Sequence, residues 1–139
     1  MISRNPREIN EGEKIFKFEV CNLFMKDCVF CKIVKGEIKK KIIFENDNFI
    51  SFADINPVTP GHSLVISKEH FETFLNMPDT LGQELSEAVK KTALKILKEN
   101  NAEGFKLVNN NKEIAGQVVP HLHFHIIPRK KDDMFNGEI

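Results

Sequence analysis

The strongest hydrophobic pattern in the chain is helical. Leu81, Leu85, Ala88, Val89, Thr92, Ile96 and Leu97 recur at the spacing of one helix face, with polar residues between them. Pro78-Asp79-Thr80 opens this run and Asn100, Asn101 and Gly104 close it, which predicts a helix from Asp79 to about Asn100. Shorter β-rich runs lie on either side. KIIFE (41–45) and NFISFAD (48–54) are joined by Asn46-Asp47, a hairpin signal, and HSLVIS (62–67) follows the breakers Pro57, Pro60 and Gly61. GFKLVNN (104–110) and QVVPHLHFHIIP (117–128) supply a fourth and a fifth strand. Upstream, Phe30, Ile33 and Val34 fall at helical spacing before Gly36, which predicts a short helix with a glycine stop. The order of elements implies an α+β domain with a mostly antiparallel five-stranded sheet, one long helix and one or two short ones.

Composition narrows the picture. The chain has 139 residues, 20 Lys+Arg against 20 Asp+Glu, and 41% hydrophobic residues, which suits one globular domain with its own core. Zero net charge removes the basic surplus that marks nucleic-acid binding. Neither an apolar run long enough for a membrane span nor a secretory leader is evident, so no membrane partner and a cytoplasmic location are expected. Residues 1–26 have mixed charge and no clean period. They read either as the product of an upstream start or, through Ile15, Phe16, Phe18 and Val20, as an added strand or docking segment. The domain proper is expected over residues 27–139.

Candidate chemistry concentrates in HLHFHII, where His121, His123 and His125 alternate with Leu122, Phe124 and Ile126. On a strand such alternation puts all three imidazoles on one face, roughly 6.5 to 7 Å apart, with the apolar residues on the other. An imidazole near neutral pH can attack phosphorus, donate a hydrogen bond or protonate a leaving group. The rival readings are a merely solvated polar face, for which Thr, Lys or Glu would be usual, and metal ligation by all three. Their shared direction along a strand disfavours the latter.

GQVVPHLHFHIIPR, together with FADINPVTPGH upstream, resembles the signature of the histidine triad (HIT) superfamily, nucleotide-binding proteins that cleave or transfer nucleoside monophosphate groups. Residues 27–129 are similar to the Hint branch in its bacterial, zinc-containing form. The resemblance implies that His123 is the nucleophile, that His125 contacts the phosphate and scissile oxygens, and that His62 and His121 stand beside them. It also implies that Asn110 holds phosphate and leaving group, with Asn109 and Asn111 as one-residue alternatives. Gln117 and the backbone of Val118 would donate to phosphate oxygens, although Val118 lacks the hydroxyl that some relatives carry there. Asp54 would accept both ribose hydroxyls; its rival role is capping the turn before Ile55-Asn56-Pro57. Phe30, Ile33, Ile38, Phe52 and Ile55 would wall the base, with ordinary core packing as the rival for each.

Cys28-x-x-Cys31 by itself is ambiguous between a redox pair, a metal half-site and two buried thiols. The resemblance implies that His70 and His121 complete a tetrahedral, structural Zn2+ site with them, and that no catalytic metal is required. No role is expected for Cys21. The implied activity is hydrolysis of purine nucleoside 5′-phosphoramidates, with an AMP- or GMP-type ligand and a homodimer. The apolar stripe of the long helix would fit the dimer interface. Alternatives are a dinucleoside polyphosphate hydrolase and a nucleotide-binding adaptor with incidental turnover.

Overall fold

The computed structural model describes residues 27–135; the expectations for residues 1–26 and Cys21 lie outside that range. The elements run α1 (Val29–Lys35), β1 (Ile42–Glu45), β2 (Phe49–Ala53), β3 (Ser63–Ser67), α2 (Gly82–Asn100), β4 (Gly104–Val108) and β5 (His123–Arg129). The strands form one sheet in the order β1-β2-β3-β5-β4, and every neighbouring pair is antiparallel. This is the five-stranded antiparallel α+β fold expected from the pattern.

Local chemistry fixes the element ends. Cys28 caps α1, its sulfur accepting the Cys31 N–H at 3.4 Å, and Gly36 ends the helix at φ 82°, a conformation that costs glycine little. Helix α2 starts later than expected because Asp79–Leu81 form a 3-10 turn first; Asn101, at φ 51°, ends it. β1 and β2 pair with a register irregularity between Ile42 and Phe44.

The fifth strand is shorter than its sequence run. Residues 117–122 are irregular and pairing begins at His123. Pro120 has no N–H to give to a ladder. The next two N–H groups are spent outside the strand ladder: His121 N–H donates to the Val119 carbonyl, and Leu122 N–H to the Phe71 carbonyl at 2.6 Å. His121 therefore stands before the strand, and the expectation of three imidazoles on one strand holds for His123 and His125 alone.

Register divides the sheet into two faces. One packs Phe49, Val65, Leu122, Phe124 and Ile126 against Ala88, Ala93 and Ile96 of α2, with Leu81, Leu85 and Val89 alongside. Ala88, Thr92 and Ile96 of the α2 stripe are buried, and Leu81, Leu85 and Val89 pack partly buried at its margin. On the opposite face, Phe30 and Ile33 of α1 pack with Ile50, Phe52, Leu64 and Ile66. Because Leu64 pairs with His125 and Ile66 with His123, the two strand histidines share that second face.

Candidate functional site

The second face collects the chemistry. Antiparallel register places Asp54 beyond β2 and His62 before β3 on the same side as His123 and His125. His123 and His125 lie ring to ring with centroids 5.1 Å apart, and His62 and His125 at 5.2 Å. Phe30 closes on His123 edge to face at 5.1 Å.

Hydrogen bonds select the tautomers. His123 donates Nδ1–H to the His121 carbonyl at 2.7 Å, which leaves its Nε2 as the unprotonated nitrogen. His62 accepts the Val58 N–H at Nδ1 (3.1 Å), so its proton resides on Nε2, 2.9 Å from Nδ1 of His125. His125 then accepts at Nδ1 and carries its own proton on Nε2. The outcome is one imidazole with a free lone pair beside another with a free N–H. Burial pushes His123 below the ordinary histidine value, against the pull of its bond to His121. Burial also lowers His62, opposed by Asp54, and brings His125 down to about 4, with His123 and His62 adding to the effect.

Asp54 uses both oxygens. Oδ1 accepts the Asn56 N–H at 2.9 Å, so the turn-capping role is real, and Oδ2 lies 3.4 Å from His62 Nε2 and 3.9 Å from His125 Nδ1. Asp54, His62 and His125 form a small group of potential metal ligands. Metal binding through His62 Nε2 would require the proton on Nδ1, which already receives the Val58 N–H.

Other expected residues fall less simply. Asn109, one of the alternatives, donates to the His123 carbonyl at 2.9 Å, whereas Asn110 reaches across its loop to Gly116 O at 3.5 Å and Asn111 accepts the Phe74 N–H. Gln117 is a correction. Its amide is spent on the loop, accepting the Lys112 N–H and donating to the carbonyls of Glu72 and Val119, so this side chain shapes the loop and does not offer a phosphate donor. Val118 turns its side chain to solvent, 89% exposed. Of the expected base walls, Phe30, Ile33 and Phe52 are core residues and Ile38 packs beside them; Ile55 is 78% exposed, so core packing does not account for it.

Beside the histidines lies a second cluster. Cys28, Cys31, His70 and His121 present ligand atoms all within 4.8 Å of one another. His121 Nδ1 lies 3.3 Å from Cys28 Sγ and 3.6 Å from Cys31 Sγ, while its Nε2 donates to the Ser67 carbonyl at 2.7 Å. That bond holds the Nδ1 lone pair toward the sulfurs, the arrangement an imidazole ligand needs. His70 Nδ1 sits 3.4 Å from Cys31 Sγ, and its buried Nε2 has no hydrogen-bond partner among the described residues. The hydrogen bond from Cys31, helped by His121 and His70 and opposed by burial, holds the Cys28 thiol well below the usual thiol range. Two sulfurs and two imidazoles, with Cys31 and His121 buried and Cys28 and His70 partly so, fit a closed tetrahedral zinc site. The Ser67 carbonyl, the Val58 N–H and the Phe71 carbonyl were not foreseeable as site groups, because backbone atoms leave no residue-type signal.

A model of the HIT domain matches residues 35–132. The chain belongs to the HIT domain family. It is 47% identical over 112 residues to an uncharacterized HIT-like protein of Methanocaldococcus jannaschii, covering 81% of this chain and 84% of that protein. It is 44% identical over 110 residues to the adenosine 5′-monophosphoramidase of Candida albicans, covering 76% of this chain and 72% of that one. Among solved structures, a Zn-bound histidine triad family protein of Mycobacterium smegmatis superposes with a TM-score of 0.72 at 33% identity, covering 81% of this chain and 82% of that chain.

Proposed function

We propose that the chain is a nucleotide hydrolase that cleaves purine nucleoside 5′-phosphoramidates through a covalent nucleotidyl-histidine intermediate. The observation that carries this reading is the 2.7 Å bond from His123 Nδ1 to the His121 carbonyl, which leaves Nε2 as a nucleophile. Nε2 attacks the α-phosphorus, the P–N bond breaks, and the departing amine takes the Nε2 proton of His125. Water then attacks the phosphorus and gives its proton back to Nε2 of His125, the N–P bond to His123 breaks, and the nucleoside monophosphate leaves with both histidines restored. The name of the Candida albicans relative supports the substrate class.

Zinc in this reading is structural. Cys28, Cys31, His70 and His121 would hold it, leaving no open position for substrate. The protein acts in the cytoplasm, and its partner is a second copy. Among the described residues β4 ends the sheet, and its Phe105 and Leu107, opposite Pro128 and Ile126, are 40% and 49% exposed, as is Leu94 of α2 at 67%.

Substituting His123→Ala tests the mechanism. Turnover of an adenosine phosphoramidate should fall by about a thousandfold or more while AMP still binds. Unchanged turnover would remove His123 as nucleophile, and faster cleavage of diadenosine tetraphosphate than of the phosphoramidate would reassign the substrate.

A further inference from the structure

One peptide unit joins the thiol cluster to the nucleophile. The unit between His121 and Leu122 lies ahead of β5, outside the strand ladder. Its carbonyl accepts the His123 Nδ1–H, and its N–H donates to the Phe71 carbonyl at 2.6 Å. Both imidazoles of the cluster connect to this unit through the backbone: His121 carries its carbonyl, and His70 immediately precedes Phe71, whose carbonyl holds its N–H. The His121 ring is in turn clamped between Ser67 O and the two sulfurs.

A second contact runs from the same cluster. Phe30 sits between the cysteines on the first turn of α1, and its ring meets His121 at 5.6 Å and His123 at 5.1 Å, edge to face in both cases. Any shift of the turn that carries the thiols therefore also shifts the ring against His123.

We infer that His121 is a positioning residue through which a metal held by Cys28, Cys31, His70 and His121 fixes the ring orientation of the nucleophile His123. The metal touches neither substrate nor the reacting nitrogen. It acts by holding the peptide unit that receives the Nδ1–H, so metal occupancy and a correctly aimed His123 are coupled. This rests on the reading of His123 as nucleophile.

The test is nitrogen NMR of histidine-labelled full-length protein, metal-loaded and after chelation, with the methyl spectrum as a check on the fold. Loaded protein should show His123 as a single Nδ1–H tautomer, and chelation should give a mixture with faster exchange of that proton. Identical His123 signals in a folded, metal-free chain would overturn the coupling, as would failure of Co2+ to give a thiolate charge-transfer band. If the chelated chain unfolds, His70→Asn, which removes a ligand carried outside α1 and β5, provides the comparison: loss of the single tautomer supports the inference, and its retention with metal lost refutes it. In parallel, kcat on an adenosine phosphoramidate should fall about tenfold or more on metal loss with KM little changed. Absence of turnover from loaded protein would defeat the hydrolase reading, while the nitrogen spectra would still decide the positioning.

Discussion

Nε2 of His62 lies 2.9 Å from Nδ1 of His125. The Val58 N–H on the far side of the His62 ring makes that contact directional, so a backbone amide in a turn ends up deciding which nitrogen of His125 carries a proton. A network of this kind works only while both rings are neutral.

Its pH dependence follows. Burial depresses both groups, His125 to about 4, below the reference of about 6.5 for an unfolded chain. Between those values the unfolded chain binds more protons than the folded one, so this contribution to stability is fully present above about pH 6.5 and is lost as the pH falls toward 4. Urea midpoints measured from pH 7.5 downward should drop through that window, and less steeply in His125→Asn. An equal slope in the variant would show that other groups govern the acid limb.

Asp54 makes a sharper discrimination possible. Oδ1 is committed to the Asn56 N–H, and Oδ2, facing His62 and His125, is the oxygen toward the histidines. If Asp54 also receives the ribose hydroxyls, Asp54→Asn should lower kcat/KM for a ribonucleoside phosphoramidate about tenfold and leave the 2′,3′-dideoxy analogue much less affected. Parallel losses on both substrates would assign Asp54 to the histidines and the turn alone.

Much of this was readable from residue spacing because its cause is local. The period of α2, Gly36 after α1 and the alternation through Leu122, Phe124 and Ile126 each follow from short-range rules. The start of β5 did not, since Pro120 and the distant Phe71 carbonyl together set where pairing begins. Gln117 shows the same limit: its type suits a phosphate donor, yet Glu72, far away in sequence, claims its amide. Nor could the stripe of α2 say which surface would cover it. An amphipathic face specifies burial, and only the assembled sheet shows that Phe49, Val65 and Phe124 provide it.

Gly61 carries a constraint invisible in its neighbours' chemistry. At φ 89° it occupies the left-handed region, and a Cβ there would overlap Asn100 Nδ2 and stand 3.1 Å from Pro128 Cγ. Gly61→Ala should cost about 1–3 kcal/mol from backbone strain, with more if Asn100 cannot move, since that side chain bonds Ile96 O at 2.8 Å. The neighbouring His62 shifts with it. Thermal and urea unfolding check the stability, and a loss below about 0.5 kcal/mol would mean that the turn relaxes freely.

The edge strand leads to the last expectation. Phe105 and Leu107 lie on the face of the sheet that α2 covers elsewhere, opposite Pro128 and Ile126, yet both remain partly exposed at the last of the described strands. An apolar strand at the edge of the described sheet attracts another strand, and a second β4 running antiparallel would cover these side chains. Charge placed there should therefore act on assembly and not on the fold. Leu107→Glu should convert a dimer to monomer by sedimentation at micromolar concentration while leaving far-ultraviolet circular dichroism unchanged, because Leu107 is already half exposed and little core is lost. A variant that remains dimeric would move the interface away from β4, and a wild-type chain that sediments as a monomer would remove the homodimer altogether.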